Sequence, residues 1–145
     1  MSRIEESIIV EAPAEAAYGY WSRFESFPAF MEGVEQVTEI GENRYRWEAE
    51  IAGARREWIA EVTQMIPPSR IAWTTTAGET EHQGAVHFTP LDDNRCEVKV
   101  QMVVNPQGFL ETLGDTLGFV TRRVQGDLER FKLAVENQSV MGESR

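Results

Sequence analysis

Between Asn105 and about Gln138 the apolar residues Leu110, Leu113, Leu117, Val120, Val124, Leu128, Phe131 and Val135 recur at steps of three and four. That spacing collects them on one face of an α-helix. Glu111, Asp115, Arg122, Arg123, Asp127, Glu129 and Lys132 lie between them and belong to water. Asn105-Pro106 suits the start of such a helix, an Asn cap followed by proline. At about 1.5 Å per residue, some 30 residues of helix run on the order of 45 Å, the long dimension of a small domain. A helix of this kind needs one extended apolar surface to lie against.

The preceding residues supply it. Ile4 to Glu11 is rich in β-branched residues and stops at Ala12-Pro13, which predicts a first strand. Pro13 then opens a short helix to about Phe24, with Ala17, Tyr20, Trp21 and Phe24 on one face, and a second short turn follows over Ser26 to Met31. From Val34 the period changes to two. Strands are predicted over Val34–Ile40, Arg44–Ile51, Arg55–Met65, Arg70–Thr75, Thr80–Thr89 and Cys96–Val104, punctuated by Gly41-Glu42-Asn43, Gly53, Pro67-Pro68, Ala77-Gly78 and Asp92-Asp93-Asn94. Six strands joined by short turns make an antiparallel meander with one wet and one apolar face. With the first strand this is a seven-stranded α+β design in which a curved sheet grips the long helix. A curved sheet cannot touch a straight helix along its whole length, so a cavity is expected between them.

Length and charge narrow the reading. The 145 residues fit one domain, taken as 1–138, with the small polar stretch 139–145 expected to fray. A formal charge of -10, with Arg55-Arg56 and Arg122-Arg123 the densest basic pairs, excludes a nucleic-acid footprint and disfavours anionic membrane surfaces. The acidic N-terminus does not read as a signal peptide, and no stretch approaches the length of a membrane span. A cytoplasmic protein without stable membrane insertion is expected. The single cysteine, Cys96, excludes an internal disulfide and a thiolate metal cluster, and its inward phase favours a packed thiol over a nucleophile.

On strand phase, the cavity wall consists of Trp47, Trp58 and Trp73, with His82, Val86 and Met102 further along the sheet and Phe109, Leu113 and Leu117 from the helix. Tyr45 and Thr75 are candidate polar anchors. Aromatic and methionine linings suit flat, apolar guests. His82 shares the phase of Val86 and Phe88, so it is the candidate catalytic group, able to hydrogen-bond a carbonyl or move a proton. A strand-end histidine, bonded to backbone or exposed near the turn at Gly78-Glu79, is the plainer reading. His87 falls on the opposite face, so the two histidines cannot hold one metal, and no metal site is predicted. Nor is any phosphate loop, nucleophile elbow or dinucleotide fingerprint present. The charged residues Arg46, Arg55, Arg56, Glu48, Glu50, Glu57 and Glu61 read as cross-strand pairs on the outer face.

Ile9-Val10-Glu11-Ala12-Pro13-Ala14-Glu15-Ala16-Ala17-Tyr18, then Trp21 and Phe27-Pro28-Ala29-Phe30-Met31-Glu32-Gly33-Val34, resemble the opening of polyketide cyclase/dehydrase-like members of the START and Bet v 1-like (SRPBCC) helix-grip superfamily. Arg46-Trp47, Glu57-Trp58, Arg70-Ile71-Ala72-Trp73, Gly84-Ala85-Val86-His87-Phe88 and Asp127-Leu128-Glu129-Arg130-Phe131-Lys132 extend the resemblance over nearly the whole chain. It implies the helix-grip fold and a small hydrophobic partner that is polyketide-, quinone- or lipid-like, with no cofactor. Two other readings stay open: a cyclase or dehydratase of the aromatase type using the same cavity, and an interaction or chaperone-like module whose pocket has closed. The oligomeric state is left open.

Overall fold

A computed structural model describes residues 2–51, 53–78, 80–105 and 116–143, with side chains for 3–51, 53–78, 80–105 and 118–137. The element order is β1 (Ser2–Val10), α1 (Ala14–Trp21), a 3-10 segment (Phe24–Ala29), β2 (Val34–Gly41), β3 (Arg44–Ile51), β4 (Ala54–Ile66), β5 (Arg70–Gly78), β6 (His82–Asp92), β7 (Arg95–Val104) and α2 (Thr116–Glu143). The expected start of the long helix at Asn105-Pro106 lies outside the described residues beyond Asn105. At its other end the helix runs past Gln138 to Glu143.

The seven strands form one antiparallel sheet in the order β1-β7-β6-β5-β4-β3-β2. Six follow one another as the predicted meander, and β1 joins the far edge by pairing with β7. Register shifts within β4, at Ile59/Ala60 and Val62/Gln64, mark bulges that bend a 13-residue strand. This is the α+β helix-grip fold.

The first helix is shorter than its pattern suggests. It ends at Trp21, and Phe24 opens the 3-10 segment instead of completing a helical face. Its buried residues are Ala14, Ala17, Tyr18 and Trp21, with Tyr18 taking the inward place expected of Tyr20. The aromatic cluster explains the stop. Trp21, Phe27, Phe30 and Phe131 meet ring to ring at 4.8–6.3 Å, so the chain turns where Phe27 must reach Trp21 and Phe30 must reach Phe131.

Helix α2 is held on both flanks. Toward β1, Gln125 donates to Glu6 at 2.9 Å, Lys132 to the Ile9 carbonyl at 3.0 Å, and the Glu11 amide to Glu136 at 2.7 Å. On the other flank, Arg123, Asp127 and Arg130 form one polar stripe that grips the turn after the 3-10 segment. Below the helix the core divides in two. One cluster centres on Val10, Trp21, Phe88 and Phe131, the other on Ile4, Ile51, Trp58 and Val120. Trp47, Trp73, Met102 and Val124 pack against both clusters while staying only partly buried. On the outer face the charges pair across strands as expected: Arg46 with Glu57 at 3.5 Å, and Arg55 with Glu48 and Glu35 at 3.2 and 3.4 Å.

Candidate functional site

The residues that bridge the two core clusters, Val34, Trp47, Trp73, Met102 and Val124, also line a cavity of about 190 Å³ between sheet and helix. Its main wall is aromatic. Trp47 and Trp58 are directly opposite each other on β3 and β4, with rings parallel to within 7° at 6.0 Å between centroids. Trp58 meets the edge of His82 at 5.6 Å, and His82 meets Trp73 at 6.4 Å. Alternation along four strands thus places a continuous series of rings, Trp47–Trp58–His82–Trp73, on one face. Tyr45 and Met102 line the same space.

His82 stands at the start of β6. Its ring nitrogen Nδ1 accepts a hydrogen bond from the Trp73 indole N–H at 3.1 Å, and its own amide donates to the Thr75 hydroxyl at 3.2 Å. The indole is a donor only, so Nδ1 is the acceptor and the neutral ring carries its proton on Nε2. Burial among apolar rings lowers the pKa of His82 to about 4. Tyr45 moves the other way: burial first, then the charges of Glu39 and Glu25, raise its phenol above the ordinary value. At neutral pH both groups are uncharged, and Tyr45 keeps its proton.

The helix side of the cavity is formed by Phe119, Val120, Arg123, Val124 and Asp127, and the 3-10 segment and its turn add Phe24, Phe27, Met31 and Glu32. Here the wall is closed by polar contacts. Arg123 donates to the Glu32 carbonyl at 2.7 Å, Arg130 to the Phe30 carbonyl at 2.8 Å, and Asp127 accepts from the Glu32 amide at 3.1 Å and from Arg130. Burial raises the Asp127 pKa, and the hydrogen bonds from Arg130 and Glu32 oppose that shift.

The structure therefore brings Tyr45, Trp47, Trp58, Trp73, His82 and Met102 to one cavity. Val86 is not on its wall. It is fully buried in the core between sheet and helix, although its cross-strand partners Ile71 and Val100 do line the cavity. Thr75 is not on the wall either, and instead accepts the His82 amide proton. Phe109 and Leu113 lie outside the described residues, as does the side chain of Leu117. Strand alternation gave no means of finding the residues from the 3-10 segment, Met31, Glu32 and the polar stripe of α2. The one available signal was Arg123, Asp127 and Arg130 recurring at helical spacing, which reads equally as a solvated face.

Residues 10–132 match the family described as "Polyketide cyclase / dehydrase and lipid transport". The chain belongs to that family. It is 45% identical over 138 residues, 95% of this chain and 92% of the other, to an uncharacterized 17.2 kDa protein in the melC2-rnhH intergenic region of Streptomyces lincolnensis. Among solved structures, the fold is similar to the Zhui aromatase/cyclase from Streptomyces sp. R1128, with a TM-score of 0.80 at 18% identity over 95% of each chain. It is also similar to a START superfamily protein from Mycobacterium smegmatis, with a TM-score of 0.71 at 18% identity over 94% of this chain and 95% of that one. Among the described residues, no helix is long and apolar enough to cross a membrane.

Proposed function

We propose that this protein binds a small, flat, mainly apolar molecule in the cavity between its sheet and α2. The observation that carries this reading is the ring series Trp47–Trp58–His82–Trp73 facing the cavity instead of filling it. Aromatic walls of this kind offer large contact area to a planar guest with little loss of side-chain freedom. Family membership supports a hydrophobic ligand or an aromatase-type role.

Between binding and catalysis, the state of the polar groups favours binding. A general base works best with a pKa near the working pH. His82 is held well below that range with Nδ1 occupied, and Tyr45 is held above it. The cyclase or dehydratase reading keeps the support of the family description and requires His82 to move a proton despite this. A closed-pocket interaction module has the least support, since three tryptophans border open space.

Tryptophan fluorescence, titrated with a panel of aromatic polyketides, quinones, sterols and fatty acids, tests the proposal. A saturable change with at least one planar ring compound is expected, and emission unmoved by every member of the panel overturns it. His82→Ala separates the two main readings: a binding protein keeps most of its affinity, whereas an enzyme loses turnover by about 10²-fold or more.

A further inference from the structure

Trp73 is fixed at two points. Its indole N–H donates to Nδ1 of His82 at 3.1 Å, and its six-membered ring lies over Gly84, the residue directly opposite it on β6. A Cβ built on Gly84 would stand 2.9 and 3.1 Å from Cη2 and Cζ2 of that ring and 2.3 Å from the Gln101 carbonyl oxygen. The Gln101 contact is with backbone and cannot yield. A Cβ opposite Trp73 is therefore excluded twice over, by the β7 backbone and by the indole that lies down on the sheet there. Next along the same row, Gly84 is opposite Met102, which also lines the cavity.

The indole so placed takes up space that would otherwise belong to the cavity. What remains is about 190 Å³. For scale, an engineered apolar cavity of about 150 Å³ in another protein takes up benzene, while pockets for drug-sized ligands run from about 300 Å³ upward. The remaining space therefore suits one ring or two fused rings, whereas a three- or four-ring skeleton or a diacyl lipid would have to extend out of it.

From these contacts the geometry points to Trp73, seated on Gly84, as the residue that sets ligand size, and to a compound of one or two fused rings as the ligand class. This rests on the cavity-binding reading above and narrows it.

The test uses isothermal titration calorimetry on the full chain with two probes, 2-naphthol and 1-hydroxypyrene, which carry the same hydroxyl on two and four fused rings. The wild type is expected to bind 2-naphthol at least tenfold more tightly than 1-hydroxypyrene. Trp73→Ala removes the indole and is expected to shrink that ratio at least tenfold. Trp73→Phe, a milder change that serves if the alanine variant does not fold, is expected to fall between. Gly84→Ala denies the indole its seat and is expected to weaken 2-naphthol. Equal affinity of the wild type for both probes, or a ratio unchanged in the Trp73 variants, overturns the assignment to Trp73 while leaving cavity binding intact. Absence of heat with either probe in every folded form, together with an unresponsive ligand panel, overturns cavity binding itself.

Discussion

The indole N–H of Trp73 and the Nδ1 atom of His82 are joined across 3.1 Å, linking adjacent strands β5 and β6 from inside the cavity. This bond requires Nδ1 to be unprotonated. It therefore couples the charge state of one side chain to the position of another that borders the ligand space.

The coupling gives stability a defined pH dependence. His82 in the folded protein has a pKa of about 4, below the 6.5 of an ordinary histidine. Above pH 6.5 neither state binds the proton and the contribution is complete. Between 6.5 and 4 the unfolded chain takes up a proton that the folded chain refuses, so stability falls with pH, and the loss levels off once the folded form is protonated too. The full effect is on the order of 3 kcal/mol. Urea unfolding of the wild type and His82→Gln across this window should show the wild type losing stability more steeply toward acid. An NMR titration of the His82 imidazole with a midpoint near 6.5 would sink the prediction.

Gly33 holds a backbone position that a side chain resists. Its φ is +83°, and a Cβ there would lie 2.6 Å from both Nη1 of Arg123 and the Glu50 carbonyl oxygen. The Gly33 carbonyl also accepts the Glu50 amide at 2.8 Å, so the turn cannot shift without breaking a bond to β3. Gly33→Ala should cost about 2 kcal/mol or more in urea unfolding. A change below about 0.5 kcal/mol would show that the turn relaxes freely.

Asp127 closes the helix side of the cavity with one carboxylate oxygen serving two donors. Asp127→Ala leaves the Glu32 amide without its side-chain acceptor and should destabilise by about 1–3 kcal/mol. Asp127→Asn keeps an oxygen acceptor and removes a charge that burial disfavours, so its effect should be smaller. Thermal unfolding of both variants decides it. If asparagine is the more damaging, the charge shared with Arg130 matters more than the amide contact.

Cys96 is fully buried, and burial followed by the charge of Glu15 pushes its thiol up to about 11. A thiol in that state presents almost no thiolate to a reagent. Ellman's reagent should leave the native protein unmodified over hours at pH 8 and react with it fully in denaturant. Rapid labelling of the native form would contradict the burial of Cys96.

Period, with the turn residues between elements, laid out most of the fold. Alternation at Tyr45-Trp47-Ala49-Ile51 and Trp58-Ala60-Val62, against steps of three and four at Val120-Val124-Leu128-Phe131, specified a meander and a long helix, because those intervals report which face of each element is buried. The same phase put Tyr45, Trp47, Trp58, Trp73, His82 and Met102 on one surface. What only the tertiary structure decided is where that surface packs and where it opens. Val86 shares the phase of His82 yet is fully buried in the core cluster with Phe88, Phe131 and Trp21, while its cross-strand partners Ile71 and Val100 reach the cavity. The contacts that shut the other side join Arg123, Asp127 and Arg130 to a turn 91 to 100 residues earlier in the chain. Local periodicity carries no information about such distant partners, since it records burial along one element and not the distance between two.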